Sequence, residues 1–570
     1  MRIVRIMLVL LLFSFLFFSG CTGKVEKENA KKQQIYNELK IGTGWDATRP
    51  GDYQPFGMWE PACLIYESLV NIDEDCRPVP CLADKWKVSN DGLVYTFFLH
   101  KGIRFHDDSP FNANAVKINF EKLKKINWQA LKRVVKQVKV KDEFTVQFIL
   151  SRPAPLFFVH IAGSGCGIIA PSAIEAKGSN NKSGELSMPG ETQIKPEAKE
   201  IKGMPSKMAE EIKGTPMKNS IRKEMKHKTK SYVIARAIGT GPYKWDESSY
   251  QRAKSFSVVR NDNYWQGRPV FKKITWFVIP DPSARTIALE SGGIDMTGQS
   301  PNASLTEENV IVLKRNDKIR LSKANNWGAR LVIINHKRPP FDNINVRRAL
   351  RYAIDYNGLQ TVFGELATVC PGPFGPSTPF THPAIKLCRY DPEKARNILD
   401  QEELLDTDGD GFREYNGKKI EIGILSSKKM AMGALLSEYF KAIGIKADLT
   451  PKESGAIFQV LDQMAYDIAV HPNIPSFYLD LYETFHSHGR WSIHLDNPKI
   501  DELLDQYVVC SDYERFKQVN EQIQEEIHKQ AIILFAVNES KLAAYYKEFG
   551  EFIYPPEEWV GAVQEIWRIK

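Results

Sequence analysis

Four of the 11 histidines lie close together in the C-terminal part of the chain, at His471, His486, His488 and His494. Neutral imidazole is a good ligand for transition metals such as Ni(II), Cu(II) and Zn(II). Side chains two residues apart face the same way on a β-strand, so we expect His486 and His488 to converge if this segment is extended. We therefore treat the four histidines as candidate metal ligands. The alternative is that they are ordinary core and loop histidines.

A second candidate for cation binding is the acidic run Asp406-Thr407-Asp408-Gly409-Asp410-Gly411. Its spacing is that with which the calcium loop of an EF-hand begins. The twelfth position of such a loop should be a bidentate glutamate, and here it is Gly417. The flanking sequence also does not predict a pair of helices. We interpret the run as a structural turn, with weak calcium binding as the alternative.

The composition is that of an ordinary globular protein. At 570 residues the chain is too long for one compact core, so two or three domains are expected. Hydrophobic residues make up 43% and aromatic residues 11%, which does not indicate a disordered chain. The net charge is +8, and no basic helix interleaved with stacking aromatics occurs, so nucleic-acid binding is not predicted.

The N-terminus has the pattern of a secretory signal peptide. Arg2 and Arg5 precede an apolar run from Ile6 to Phe18, which is too short for an ordinary membrane span. The following Ser19-Gly20-Cys21 resembles a bacterial lipobox, in which Cys21 becomes the lipidated first residue of the mature protein. An uncleaved membrane anchor is the alternative.

The remaining cysteines are odd in number if Cys21 carries lipid, because the chain has 8 in total. Cys76 with Cys81, and Cys370 with Cys388, are candidate disulfide pairs outside the cytoplasm. No C-x-x-C pattern occurs, so a structural zinc site is not predicted.

The stretch Leu82 to Val116 predicts a β-meander that leads into a helix. Asn90-Asp91-Gly92 is a tight-turn sequence, and Val94 to Leu99 is a β-branched and aromatic run with strand character. Asn112 is placed to cap a helix over Ala113 to Leu123.

This stretch resembles the signature of the extracytoplasmic solute-binding proteins of dipeptide, oligopeptide and nickel ABC importers, known as family 5. Two positions depart from the family pattern, His100 in place of arginine and Asp108 in place of glycine. The matching segments occur in the family's order and are Leu82-Ala83, Trp86, Lys101-Gly102, Phe105-His106-Asp107, Ile238-Gly239-Thr240-Gly241-Pro242-Tyr243, Asn261-Asp262-Asn263-Tyr264-Trp265, Ala288 to Asp295 and Asn497 to Leu504.

The resemblance implies an α/β protein with the two-lobed periplasmic-binding-protein type II (cluster C) fold and an extra subdomain in the first lobe. The expected boundaries are a lipoprotein signal peptide at 1–20, a tether at 21–35, lobe I at 36–275, lobe II at 276–531 and a return to lobe I at 532–570. The subdomain is expected at about 75–235.

Residues 178–230 are longer than the family's usual connection, and we interpret them as an insertion. The segment has no aromatic residue and contains five of the 12 methionines. A composition of this kind is typical of a solvated loop that cannot bury a core. Thioether coordination of Cu(I) is the alternative.

The resemblance also implies a ligand bound in a cleft between the lobes, and no catalysis. Aromatic walls and a few polar groups are what such a cleft needs. In nickel-binding members a cleft histidine from the region of His486 to His494 holds the metal of a small chelate. Those members also hold the chelate's carboxylate with an arginine that is missing here before Ile169-Ala170-Pro171-Ser172. The remaining candidate contacts are Tyr53, Trp59, Trp327 and Tyr478, with Arg330 or Arg490 as the carboxylate partner.

The predicted function is a lipid-anchored substrate-binding subunit of an ABC importer, working with permease and ATPase subunits. The ligand is a nickel chelate or a short peptide, and no resident cofactor is predicted. A dipeptide- or oligopeptide-binding protein without metal dependence is the alternative. A secreted hydrolase is a remote alternative, because the sequence has no H-E-x-x-H or G-x-S-x-G motif.

Overall fold

The computed structural model describes residues 36–44, 46, 59–73, 77–123, 131, 134–154, 156–162, 166–176, 232–297, 305–325, 328–376, 378–426, 432–471, 479–489, 492–510 and 512–550. The structural statements below concern these residues. The predicted signal peptide, Cys21, the tether and the insertion at 178–230 lie outside them. No helix in this part of the chain is both long enough and apolar enough to cross a membrane.

The strands are numbered in chain order. They are β1 (Tyr36–Thr43), β2 (Val70–Ile72), β3 (Pro78–Pro80), β4 (Ala83–Val88), β5 (Val94–Leu99), β6 (Val135–Asp142), β7 (Thr145–Leu150), β8 (Ile174–Ala176), β9 (Tyr232–Ile234), β10 (Tyr243–Trp245), β11 (Ser255–Arg260), β12 (Phe271–Val278), β13 (Met296–Thr297), β14 (Ile319–Asn325), β15 (Arg330–Ile334), β16 (Ala367–Cys370), β17 (Glu414–Tyr415), β18 (Lys418–Lys419), β19 (Glu421–Ser426), β20 (Lys446–Pro451), β21 (Ile468–Val470) and β22 (Ile533–Tyr546).

The helices are numbered in the same way. They are α1 (Trp59–Ile65), α2 (Ala113–Leu123), α3 (Phe157–Ala162), α4 (Pro282–Glu290), α5 (Glu307–Lys314), α6 (Ile344–Tyr352), α7 (Tyr356–Phe363), α8 (Pro392–Gln401), α9 (Met432–Lys441), α10 (Ser454–Asp462), α11 (Leu479–Phe485), α12 (Pro498–Tyr507) and α13 (Tyr513–Lys529).

The main sheet has two halves that share strand β22. Its strand order is β10-β11-β12-β1-β13-β22-β15-β21-β19-β20, and β14 and β16 also pair with β22. In the first half β1 runs parallel to β12 and β13, and in the second half β19 runs parallel to β20 and β21. Parallel strands joined by helices are typical of α/β proteins. The predicted α/β class is therefore confirmed.

A separate four-stranded sheet, β4-β5-β7-β6, forms the subdomain of the first lobe. Alternate residues of β5 and β7 are buried, as expected for strands with one face on a core. Phe148 of β7 lies between Phe97 of β5 and Phe157 of α3, with ring centroids 5.8 Å and 5.6 Å apart. The predicted helix α2 is confirmed, and Asn112 Oδ1 accepts a hydrogen bond from Ala115 N at its start (3.1 Å).

The second half of the main sheet is covered on both faces. Ile333 of β15 and Ala469 of β21 belong to one apolar cluster, and Val332 and Ile468 belong to another. Neighbouring residues of one strand point to opposite faces, so both faces of this half are buried. This arrangement explains why Leu331 to Ile334 of β15 and the whole of β21 are apolar in sequence.

Helices α4 and α5 and strands β13 and β14 pack with the first half of the sheet. Met296 of β13 pairs with Ile41 of β1, and β14 pairs with the second part of β22. Leu313, Ile319 and Leu542 share an apolar cluster. The expected lobe boundary at 275/276 separates these elements from the strands to which they are hydrogen-bonded, so the hydrogen bonding groups residues 282–325 with lobe I.

The predicted disulfide between Cys370 and Cys388 is wrong, since both are free thiols. Cys370 is buried in β16, and its Sγ lies 3.7 Å from the carbonyl oxygen of Ala536. Cys388 precedes α8 and packs against a different part of the second lobe. Cys76, the predicted partner of Cys81, lies outside the described residues.

Two half-buried histidines of the first lobe are expected to make the fold acid-sensitive. Burial lowers the pKa of His160 to about 4 and that of His106 to about 4. Their pKa in an unfolded chain is about 6.5. They therefore favour the folded state above about pH 6.5, and this contribution is lost as the pH falls from about 6.5 towards 4. Urea unfolding at about pH 7 and pH 4.5 measures the loss, up to about 3 kcal/mol for each histidine.

The variant His160→Gln should show a smaller difference in unfolding free energy between these two pH values. The matched control is His488→Gln, whose native ring is exposed. An unchanged pH difference in His160→Gln contradicts the prediction.

Candidate ligand site between the lobes

Four polar side chains are buried where parallel strands of the main sheet end. Thr43 ends β1, Thr297 ends β13, Ser426 ends β19, and His471 follows the last residue of β21. In open α/β sheets, ligands bind in the crevice outside the carboxyl ends of the strands. We call these positions the carboxyl edges of the two lobes, with Thr43 and Thr297 in the first lobe and Ser426 and His471 in the second.

The carboxyl edges of the two lobes approach each other along strand β22. β13 is antiparallel to β22 and pairs at Tyr545, so its carboxyl end points towards the middle of β22. β15 is antiparallel to both β21 and β22, so β21 runs in the same direction as β22. Val470 is level with Phe535 through their shared partner Val332, and the carboxyl end of β21 also points towards the middle of β22. The space between the two carboxyl edges is therefore over residues 536–543, which is where we expect a ligand crevice.

The middle of β22 is polar although the strand is otherwise apolar. Asn538 is buried and its Nδ2 donates to the carbonyl oxygen of Gly328 (2.7 Å). Glu539 Oε1 accepts from Nε of Arg330 at 3.1 Å. Neither Asn538 nor Glu539 was predicted from the sequence as a ligand contact. The signal was present, because Asn538-Glu539-Ser540-Lys541 interrupts the apolar residues on both sides.

Arg330 lies at this point as the first residue of β15. Its side chain is 20% exposed and forms an ion pair with Glu539. A ligand carboxylate at this site would compete with Glu539 for the guanidinium. In the structure the charge of Arg330 is balanced by Glu539.

His471 is the member of the histidine group that lies on the carboxyl edge. Its backbone N–H donates to Leu331 O (2.8 Å), which places it beside Arg330. Its buried ring meets the ring of Phe458 edge-on, with centroids 6.2 Å apart.

His486 and His488 are not on a strand. His486 directly follows helix α11, and His488 lies in the next turn. The rings are 5.5 Å apart, but His486 Nδ1 accepts from the backbone N–H of His488 (3.0 Å). His486 Nε2 faces Asp505 Oδ1 at 3.5 Å. Both ring nitrogens of His486 are used inside the protein, which leaves no lone pair for a metal.

His494 lies at the opposite end of the second half-sheet. Its carbonyl oxygen is 3.1 Å from Nε2 of His336, which follows the end of β15. The backbone N–H of Asn335, next to His336, donates to the carbonyl oxygen of Asp467 (2.8 Å), just before β21 begins. Among the described residues, the four histidines do not take part in any group of three or more metal-ligating side chains.

The remaining candidates are only partly covered by the structure. Tyr53, Trp327, Tyr478 and Arg490 lie outside the described residues. Trp59 is the first residue of α1, and its backbone alone is described.

The lobes touch beside α11 and α12. Val159 of α3 and the preceding Leu156 come from the first lobe. They belong to an apolar cluster whose other buried members, such as Leu481 of α11, come from the second lobe. Nη1 of Arg152 donates to the carbonyl oxygen of Val508, the C-cap residue of α12 (2.9 Å). The C-terminus of a helix carries partial negative charge, which attracts the guanidinium.

Two-lobed binding proteins open and close about a hinge. Replacing Arg152 with alanine is expected to favour the open arrangement, because the hydrogen bond from Arg152 to Val508 can form only when the lobes are close together. Losing about 1 kcal/mol shifts the ratio of closed to open molecules about fivefold. Small-angle X-ray scattering should show a larger radius of gyration. Arg268→Ala is the control, because Arg268 pairs with Asp262 inside one lobe. Equal radii for the two variants contradict the prediction.

Two lobes that share a crossing strand, with polar groups at facing carboxyl edges, define a two-lobed ligand-binding protein. The sequence model of the bacterial extracellular solute-binding proteins, family 5 (middle region), matches residues 77–491. The chain belongs to this family, as the motifs from Leu82 onwards predicted. A hydrolase is no longer an alternative, since this is a family of binding proteins.

Known relatives cover most of the chain. It is 24% identical over 539 residues to the nickel-binding periplasmic protein of Escherichia coli (strain K12), covering 91% of this chain and 92% of that protein. It is 28% identical over 376 residues to the glutathione-binding protein GsiB of Pectobacterium atrosepticum, covering 63% of this chain and 60% of that protein, which is less than two thirds.

The fold has a solved counterpart in NikA from Brucella suis, crystallised in complex with Fe(III)-EDTA. The TM-score is 0.71 at 21% sequence identity, and the match covers 92% of this chain and 99% of that one. The predicted two-lobed fold is thereby confirmed.

Proposed function

We propose that this chain is the lipid-anchored substrate-binding subunit of an ABC importer. It captures its ligand between the lobes and delivers it to permease and ATPase subunits. Family membership supports the role, and the observation that carries it is the meeting of both carboxyl edges over the polar middle of β22. Extracytoplasmic anchoring through Cys21 rests on the leader-like sequence before it.

The proposed ligand is a nickel or similar metal chelate. Similarity to a nickel-binding periplasmic protein along 91% of the chain supports it. His471 offers an imidazole at the carboxyl edge, and Arg330 offers a cation for a chelator carboxylate. His486 is not proposed as a ligand, because both of its ring nitrogens face partners inside the protein. His488 and His494 are secondary candidates, and His494 lies at the opposite end of the half-sheet.

A short peptide, such as a dipeptide or a glutathione-like tripeptide, is the second candidate ligand. The observation that favours it is the ion pair of Arg330 and Glu539 at the centre of the crevice. Two adjacent opposite charges suit the charged termini of a peptide, one attracting the carboxylate and the other the amine.

Isothermal titration of the full-length chain in detergent distinguishes the two ligands. Ni(II) is added alone, then with histidine or a tricarboxylate chelator, and a pool of short peptides is added separately. Metal-chelate binding that is lost in His471→Gln and kept in His100→Gln supports the nickel proposal. His100 is the control because it lies in the subdomain sheet region, away from β22.

Peptide binding without any metal dependence reassigns the ligand, and Glu539→Gln should then weaken it. Absence of binding by both ligand classes contradicts the proposed function.

A further inference from the structure

We propose that the acidic turn between α8 and β18 binds one calcium ion. Asp406, Asp408, Asp410 and Glu414 each place a carboxylate oxygen within 4.8 Å of the others. Calcium binds oxygen at about 2.3–2.6 Å, so oxygens around one ion lie no more than about 5 Å apart. The four carboxylates are therefore already close enough to share an ion.

The turn holds its aspartates through backbone hydrogen bonds. Asp406 Oδ1 accepts from Gly409 N (2.8 Å) and its Oδ2 accepts from Gly411 N (2.9 Å). Both glycines have positive φ, +78° and +89°, which a side chain would strain. Asp408 Oδ1 accepts from Asp410 N (3.1 Å). Each carboxylate oxygen has more than one acceptor site, so these bonds leave capacity for a cation.

The independent observation is Glu414, which is only 9% exposed, unlike the three aspartates around it. Its Oε2 accepts from Thr407 N at 2.7 Å. Its Oε1 is fully buried and has no hydrogen-bond partner. A buried carboxylate oxygen without a partner is unfavourable, and coordination of a cation by this group removes that cost.

Glu414 replaces the glutamate that an EF-hand carries at its twelfth position. That position, Gly417, lies in the Asn416-Gly417 turn of the β17–β18 hairpin, where both residues have positive φ. The chain turns back there, so the carboxylate comes from the ninth position, on β17. The spacing of an EF-hand loop therefore does not predict this ligand position.

The charges favour a divalent cation. Nζ of Lys419 forms an ion pair with Asp410. This one positive charge does not neutralise the four carboxylates, which keep a net negative charge. Carboxylate oxygens on an exposed loop suit the flexible coordination of calcium better than the strict octahedron of magnesium. The proposal is independent of the ligand cleft, because none of these residues lies on the carboxyl edge.

Calorimetric titration of the metal-stripped full-length chain with CaCl2 tests the proposal. We expect one saturable site, with a Kd of about 10⁻⁴–10⁻³ M, as in extracellular calcium modules. Asp408→Asn keeps the acceptor for Asp410 N, and Glu414→Gln keeps the acceptor for Thr407 N, so both should fold. Each should weaken calcium binding about tenfold or more, because ligand charge sets the affinity.

Two further variants separate coordination from damage to the fold. Lys419→Gln removes the competing ammonium and should tighten calcium binding. Asp84→Asn, an exposed aspartate on β4, should leave it unchanged. Unchanged affinity in both Asp408→Asn and Glu414→Gln overturns the proposal, as does a lack of saturation at about 10 mM, ten times the weak end of the expected range.

Discussion

Replacing Gly239 with alanine is expected to cost the protein more than about 3 kcal/mol of unfolding free energy, or to prevent folding. A Cβ at this position would lie 2.0 Å from the carbonyl oxygen of Ile65 and 2.8 Å from its carbonyl carbon. These are backbone atoms at the end of α1, which cannot rotate aside. Gly241 is equally close, with a Cβ position 2.3 Å from the carbonyl oxygen of Leu64.

Urea unfolding of Gly239→Ala beside Gly292→Ala measures this effect. Gly292 has a φ of +76° and open space around its Cβ position, so alanine there brings only backbone strain, about 1 kcal/mol. The prediction fails if the two variants unfold at the same urea concentration, since the close approach to α1 would then contribute nothing.

Replacing Arg351 with methionine is expected to destabilise the second lobe by about 3 kcal/mol. The buried guanidinium donates from Nε to Ile533 O (2.8 Å) and from Nη1 to His528 O (3.2 Å). These carbonyls lie at the end of α13 and the start of β22. Methionine fills similar space but donates no hydrogen bond, so the buried carbonyls lose a charged donor. Burial lowers the pKa of Arg351, yet an arginine stays charged in proteins.

Chemical unfolding of Arg351→Met beside Arg348→Met tests this role. Arg348 lies on the same helix but is exposed, and its Nη1 donates to Asn345 Oδ1 in the same turn (3.3 Å). Its replacement should change the unfolding free energy by no more than about 0.5 kcal/mol. Equal destabilisation by both variants would show that the carbonyl contacts of Arg351 carry no stability.

The family motifs predicted the fold because they are the places where the first lobe packs on itself. His106 of the Phe-His-Asp motif donates from its backbone N–H to Gly239 O (2.8 Å) and from Nε2 to Gly241 O (2.9 Å). Its neighbour Asp107 accepts a hydrogen bond from the hydroxyl of Ser172. Segments far apart in sequence thus require particular residues for one joint, and such residues are recognisable in sequence.

The ligand site was less predictable because it depends on direction and register. The spacing of His486 and His488 favours convergence only on a strand, and helix α11 ends at Phe485 instead. His471 was predicted together with the others, but its special position follows from the end of β21 at Val470. No local pattern reveals that β21 and β13 point towards the same part of β22.

The strand pairing of residues 282–325 was hard to predict for a related reason. Strand β13 has two residues, Met296–Thr297, too few for a periodic signal. Its pairing with β1 is decided by the sheet and not by its own sequence. Likewise, the sequence alone does not predict Glu414 as a proposed calcium ligand, because the β17–β18 hairpin places it beside the aspartates.

Strand β22 also determines when the protein can fold during its synthesis. It pairs with β13, β14, β15 and β16, all of which leave the ribosome earlier than residues 533–546. Until then these four strands present unpaired edges, which invite pairing with other chains. Contacts between residues so distant in sequence also form slowly. Completion of both lobes is thus postponed until residues 533–546 have been synthesised, and a product terminated before Ile533 would be an aggregation-prone polypeptide lacking the strand that both lobes share.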